Sequence, residues 1–138
     1  MKIELPGQLP YTAHLVVRIT DINYGGHLGN DALVSLLHEA RVGFLAQHGF
    51  TEADCGGAGI VISELEVAYR AEAFQGDCLE IAVGAGSIGR GRADLYYQVM
   101  RPADAREIAR ARTTLAFFDY TTRRPRRTPD AFRTALGG

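Results

Sequence analysis

The feature that most constrains this chain is a single change of hydrophobic period. From Asn30 onward the apolar residues Leu33, Leu36, Leu37, Ala40 and Phe44 recur every three or four positions. That spacing gathers them on one stripe of an α-helix. Every other patterned stretch alternates with period two, which marks a strand. One such stretch, Tyr11 to Ile19, precedes the helix and puts Leu15, Val17 and Ile19 on one side. Four follow it: Ile60 to Arg70, Asp77 to Ala85, Arg92 to Met100 and Ile108 to Phe118. Turn-forming runs separate the last three strands, Ser87 to Gly91 and Pro102 to Ala105, and Gln75-Gly76-Asp77 precedes them. The two short turns predict antiparallel hairpins. One helix among five strands can bury its stripe only against the sheet, so the pattern predicts an α+β fold. The length of 138 residues suits one domain, 1–138, with no repeat or linker.

The helix should run about 17 residues, near 25 Å at the usual rise. Asn30 or Asp31 can cap its start, and Gly49 can end it. Val34 and Leu45 form a smaller apolar strip beside the main one, shared with His38 and Arg41. A two-sided helix predicts one face on the sheet and one near a partner. Glu64 and Glu66 share a strand face, which predicts a solvated side. Beyond Asp119 the tail reads as polar, with Arg123, Arg124, Arg126 and Arg127.

Fifteen basic and sixteen acidic residues leave a formal net charge of -1. Such a balance gives no global field for nucleic acid or an anionic membrane, so any phosphate contact must be local. No apolar run approaches the length of a membrane span. Cys55 and Cys78 lie far apart, and nothing demands a disulfide. Met1 to Pro6 carries charge and a proline where a secretory leader needs an apolar stretch. The expectation is a cytoplasmic chain with reduced thiols. The four histidines and two cysteines show no metal-ligand spacing.

The loop Thr20 to Gly29 leads directly into the helix. Gly25, Gly26, Gly29 and Asn30 therefore precede a helix N-terminus, whose free N–H groups and dipole suit a developing oxyanion. The same glycines also fit an ordinary loop with a cap.

Several segments carry a family resemblance. They are Asp21-Ile22-Asn23-Tyr24-Gly25-Gly26-His27-Leu28-Gly29-Asn30, His38-Glu39-Ala40-Arg41, Glu66 to Arg70, Gly76-Asp77, Ala111 to Thr114 and Asp119 to Pro125. In this order and spacing the chain resembles the 4-hydroxybenzoyl-CoA thioesterase-like family. The resemblance implies a hotdog fold, in which an antiparallel five-stranded sheet wraps one long central helix. It implies an acyl-CoA hydrolase acting on short-to-medium or aromatic acyl groups, with coenzyme A present only as part of the substrate. It also implies a homodimer or homotetramer with sites at the subunit interface. The Asn30 N–H becomes the principal oxyanion donor, and Tyr24, Gly25 and Gly26 become substrate-binding.

At one place the chain departs from the family. The usual catalytic carboxylate is the second aspartate of a D-x-D loop, and that position is Asn23 here. An amide cannot act as a general base, although it can orient a water or bond the carbonyl. The base is then open between His27 in the loop and the helix residues His38 and Glu39. A second branch of the superfamily would place its helix carboxylate there, about two turns past the donor. Each also fits a plain loop or a solvated helix face. Asp21 is expected to bond the loop backbone, or to pair with His27. Arg90 and Arg92, in a hairpin turn, are the candidates for the CoA phosphates.

Two alternatives stand beside hydrolysis. One is a non-hydrolytic acyl-CoA or acyl-carrier-protein binder, which Asn23 would suit. The other is an R-specific enoyl-CoA hydratase, whose D-x-N-P-x-H signature matches Asp21-Ile22-Asn23. Tyr24 replaces its proline, and His27 falls one residue late.

Overall fold

The computed structural model describes residues 2–137. Strand β1 (Tyr11–Val16) is followed by a 3-10 turn and helix α1 (Asn30–Gln47). Then come β2 (Gly59–Tyr69), β3 (Cys78–Ile88), β4 (Arg92–Arg101), β5 (Arg106–Asp119), the two-residue β6 (Arg124–Pro125) and helix α2 (Asp130–Leu136). The five long strands form one antiparallel sheet in the order β1-β3-β4-β5-β2, and β6 pairs with β5. The hairpins β3–β4 and β4–β5 follow from the short turns. β2, the first strand after the helix, closes the far edge by pairing with β5.

The core lies where the two periodicities meet. Leu33, Leu36, Leu37, Ala40 and Phe44 of α1 are buried. They face the inward residues of the sheet, among them Leu79, Ile81 and Val83 of β3, Leu95, Tyr97 and Val99 of β4, and Leu115 and Phe117 of β5. This is the α+β hotdog arrangement. Gly49, at φ 79°, turns the chain out of α1 as expected.

The structure corrects four expectations. β1 ends at Val16, and Ile19 is exposed, because the chain tightens into a 3-10 turn over Ile19–Asp21. The N-cap of α1 is Gly29, not Asn30 or Asp31. Leu45 is fully buried in the core, so the second strip of α1 narrows to Val34, His38 and Arg41. The tail is not merely polar. Phe132 of α2 is fully buried, 5.0 Å from the Phe117 ring and 6.1 Å from Phe50. Seven residues hold only the single i, i+4 pair Phe132 and Leu136 of large apolar side chains, too few to show a helical period, which is why α2 is invisible in the sequence.

The edge strand β2 positions the rest. It leaves Ile62, Leu65 and Tyr69 exposed on the side toward α1. A seam therefore runs open between α1 and β2, from Asn30 and Tyr69 at one end to Glu52 and Ile60 at the other.

Candidate active site

The loop entering α1 is tied from within. Asn23 Oδ1 accepts from the Gly25 N–H at 2.9 Å and from the His27 N–H at 3.4 Å. Its backbone N–H donates to the His27 carbonyl, and the Gly26 N–H donates back to the Asn23 carbonyl. Gly26 sits at φ 82°, where a side chain would be strained. Buried Asp21 accepts from the Arg18 N–H at 2.8 Å and from its guanidinium. Burial alone would raise the Asp21 pKa, but the Arg18 hydrogen bonds and charge outweigh it and hold the carboxyl below its ordinary value. Asp21 is thus a loop anchor paired with Arg18, and not with His27. Tyr24, Gly25 and Gly26 form the exposed loop tip and line none of the cavities described here. The turn that Asn23 closes aims them at solvent.

The seam has two chemically distinct ends. At the first, the start of α1 opens on a cavity of about 400 Å³. Leu28, Leu33, Ala73 and Ile108 make its floor, and His27, Asn30, Arg70, Glu72 and Arg106 its rim. Among the described residues no side chain caps α1, so the first-turn N–H groups, that of Asn30 included, are open to an incoming oxygen. Tyr69 donates its hydroxyl to the Asn30 carbonyl at 3.2 Å and braces this turn. The His27 ring also reaches the rim, but both its nitrogens face oxygens. Nδ1 lies 3.2 Å from the Leu28 carbonyl, and Nε2 lies 3.5 Å from Glu72. A neutral ring carries one proton, so its lone pair faces either the Leu28 carbonyl or the Glu72 carboxylate.

At the second end, His38, Arg41 and Glu52 come together. His38 Nε2 is 2.7 Å from Glu52 Oε1, and Arg41 Nε donates to Glu52 Oε2 at 2.8 Å. Arg41 is only 7% exposed. It continues inward to the Tyr97 hydroxyl at 3.4 Å, which pairs with Thr113 at 2.7 Å. Burial pushes the Glu52 carboxyl up, but the hydrogen bonds and charges of Arg41 and His38 more than offset this and leave its pKa lowered. His38 and Arg41 line cavities of about 220 and 520 Å³, walled by Val34, Leu37, Ile60, Ile62 and Leu65. Glu39 lines neither: one residue further is about 100° around a helix, which leaves it exposed and within the field of Arg18.

Glu52 and Tyr69 were not singled out from sequence. Glu52 lies in a small-residue loop with no pattern, and Tyr69 reads only as one more strand residue.

The arginines of the hairpin turn part company. Arg90 lines a groove of about 670 Å³ with Arg126, Arg127 and Arg133. Arg92 instead lies 3.9 Å from Asp94 on the outer face of the sheet, beside Glu64, Glu66 and Arg112. Arg92 opens β4, where alternation with the buried Ala93 puts it on the outer face, whereas Arg90 lies in the turn before the strand. The groove sits near Phe117, whose N–H donates to the Gly91 carbonyl. That is the end of the sheet away from Asn30. Cys55 is buried and its thiol pushed up to about 12, chiefly by burial, while Cys78 is exposed; both are free.

A long helix laid on a curled antiparallel sheet, its N-terminus opening on an apolar-floored cavity, defines a hotdog protein. The chain belongs to the thioesterase-like superfamily, whose model matches residues 17–136. Solved structures agree in fold. A 1,4-dihydroxy-2-naphthoyl-CoA thioesterase from Synechocystis has a TM-score of 0.82 at 19% identity, covering 92% of this chain and 95% of that one. A gentisyl-coenzyme A thioesterase has a TM-score of 0.81 at 18% identity, covering 91% and 99%. A probable thioesterase from Escherichia coli has a TM-score of 0.73 at 17% identity, covering 90% and 94%. No curated protein matches the sequence. Among the described residues no helix is long and apolar enough to cross a membrane.

Proposed function

We propose that this protein hydrolyses the thioester of an acyl-CoA, with the carbonyl polarised by the N–H groups that open α1. The observation that carries the reading is the uncapped helix start at the mouth of an apolar-floored cavity. Water adds to the thioester carbonyl, and the oxygen gains negative charge where the Asn30 N–H and the helix dipole point. Collapse of the adduct expels the CoA thiolate, which takes up the proton lost by the water. The products are a free acid and coenzyme A, and coenzyme A enters only with the substrate.

His38 is the better base, since its Nδ1 is without a partner among the described residues and His27 has both nitrogens facing oxygens. Asn30 and His38 stand eight residues apart, about 12 Å along the helix axis. One carbonyl meets both only if a second copy supplies one of them. The exposed residues Ile62, Leu65 and Tyr69 of the unpaired β2 edge favour such a homodimer. Sedimentation should give a dimer or a tetramer built as a dimer of dimers, and a monomer active at all dilutions would rule this arrangement out. The groove of Arg90, Arg126, Arg127 and Arg133 suits the CoA phosphates. It replaces the pairing of Arg90 with Arg92.

The deciding experiment removes one hydrogen. Asn30→Pro deletes the N–H at the first helical position, where proline is tolerated. Gly29, at φ -73° and ψ 154°, already has the backbone that proline requires of its predecessor. Free-thiol release across aliphatic and aromatic acyl-CoAs should show turnover by the native chain. In Asn30→Pro it should fall by about 100-fold or more, with the fold retained. Equal rates in the two proteins would remove the helix start from the mechanism.

A further inference from the structure

Glu52 has no place in the chemistry read from the sequence, yet it is the hub of the polar cluster at the second end of the seam. We infer that Glu52, anchored by Arg41, is the positioning residue that fixes the tautomer and orientation of His38 as the base of the hydrolytic site. The inference rests on the hydrolytic reading above.

An ionised carboxylate can only accept hydrogen bonds. Glu52 has one oxygen occupied by the Arg41 Nε–H at 2.8 Å, and the other is 2.7 Å from His38 Nε2. A neutral His38 in that contact must therefore carry its proton on Nε2. Its lone pair is then on Nδ1, the nitrogen with no partner among the described residues. A carboxylate behind a histidine both selects the tautomer and stops the ring from turning.

The anchor is what makes Glu52 more than a surface acid. Arg41 is buried on α1 and reaches Tyr97, itself fully buried and bonded to Thr113. Glu52 is held from the other side by its own backbone, whose carbonyl accepts from the Ile60 N–H at 2.9 Å. The charged and titratable groups around His38 are then Glu52 and Arg41, with Tyr97 beneath and Tyr120 on the far wall of the larger cavity. Val34, Leu37, Ile62 and Leu65 give the smaller cavity an apolar wall, with Ser35 and Thr113 beside it, and suit an acyl group next to the base.

The test pairs kinetics with a spectroscopic readout. Ring nitrogen-15 shifts of His38, assigned with His38→Gln, should give the Nε2–H tautomer in the neutral ring of the native protein. Thiol release should fall by about 100-fold or more in kcat for His38→Gln. For Glu52→Gln it should fall by about 10-fold in kcat, with KM unchanged. A proton on Nδ1 in the native protein overturns the inference, and this measurement does not depend on any variant folding. So does an active native protein whose folded Glu52→Gln variant matches it in kcat. Failure of the hydrolytic reading looks different: the native protein releases no thiol from any thioester, whatever the tautomer, and the inference then falls with it.

Discussion

At Asn23 a single atom decides the role. Its Oδ1 already accepts from two backbone N–H groups of the loop, so it acts as a turn lock between Asp21 and the helix. A carboxylate offers the same acceptor. Asn23→Asp should therefore fold with a melting temperature close to the native one, and should keep or raise thiol release. Asn23→Ala removes the acceptor and should lose about 1–2 kcal/mol of stability by denaturant titration. A variant Asn23→Asp that folds but is inactive would mean the amide itself is required. The residues named from sequence divide along similar lines. Asn30 and His38 sit where hydrogen-bond or proton chemistry is possible. Glu39 and Arg92 are turned away by the 100° step of a helix and the alternation of a strand.

At the scale of elements, α2 has the clearest consequence. It is seven residues long, too short to hold itself together in water. Phe132 carries it, stacked on Phe50 and edge-to-face with Phe117, and the three rings close the end of the core near the α1 C-terminus. Phe132→Ala should destabilise the whole protein by about 3–5 kcal/mol, read as a shift of the denaturation midpoint. A much smaller loss would mean that α2 is a dispensable flap. Strand β2 makes the opposite case. Its place at the sheet edge, set by pairing with β5 and not with its sequence neighbours, is what leaves the seam with α1 open. Strand identity was legible from alternation alone, while strand order was not, since it depends on contacts between segments some fifty residues apart.

For the whole molecule, acid is the informative perturbation. Glu52 and Asp21 both have lowered pKa values, because arginine hydrogen bonds outweigh the effect of burial. A carboxyl whose folded pKa lies below its unfolded one stabilises the fold above the unfolded value, near 4. That contribution is lost as pH falls through the folded value. Melting temperature should therefore drop steeply below about pH 4, and Glu52→Gln should flatten part of that drop while lowering stability at neutral pH. An unchanged acid limb would mean the Arg41–Glu52 pair contributes nothing net, as some buried pairs do. The sequence by itself determined the long helix, the five strands, their antiparallel hairpins and the apolar stripe that joins them. Those follow from local periodicity and turn chemistry, which each segment carries alone. It also carried the glycine-rich entry to α1, in order and spacing enough to name the family. Only the tertiary structure decided that Glu52 backs His38, that Arg90 joins Arg126, Arg127 and Arg133, and that Phe132 seals the core. Each of those joins side chains from elements distant in the chain, and such meetings are fixed by packing, which no local pattern records.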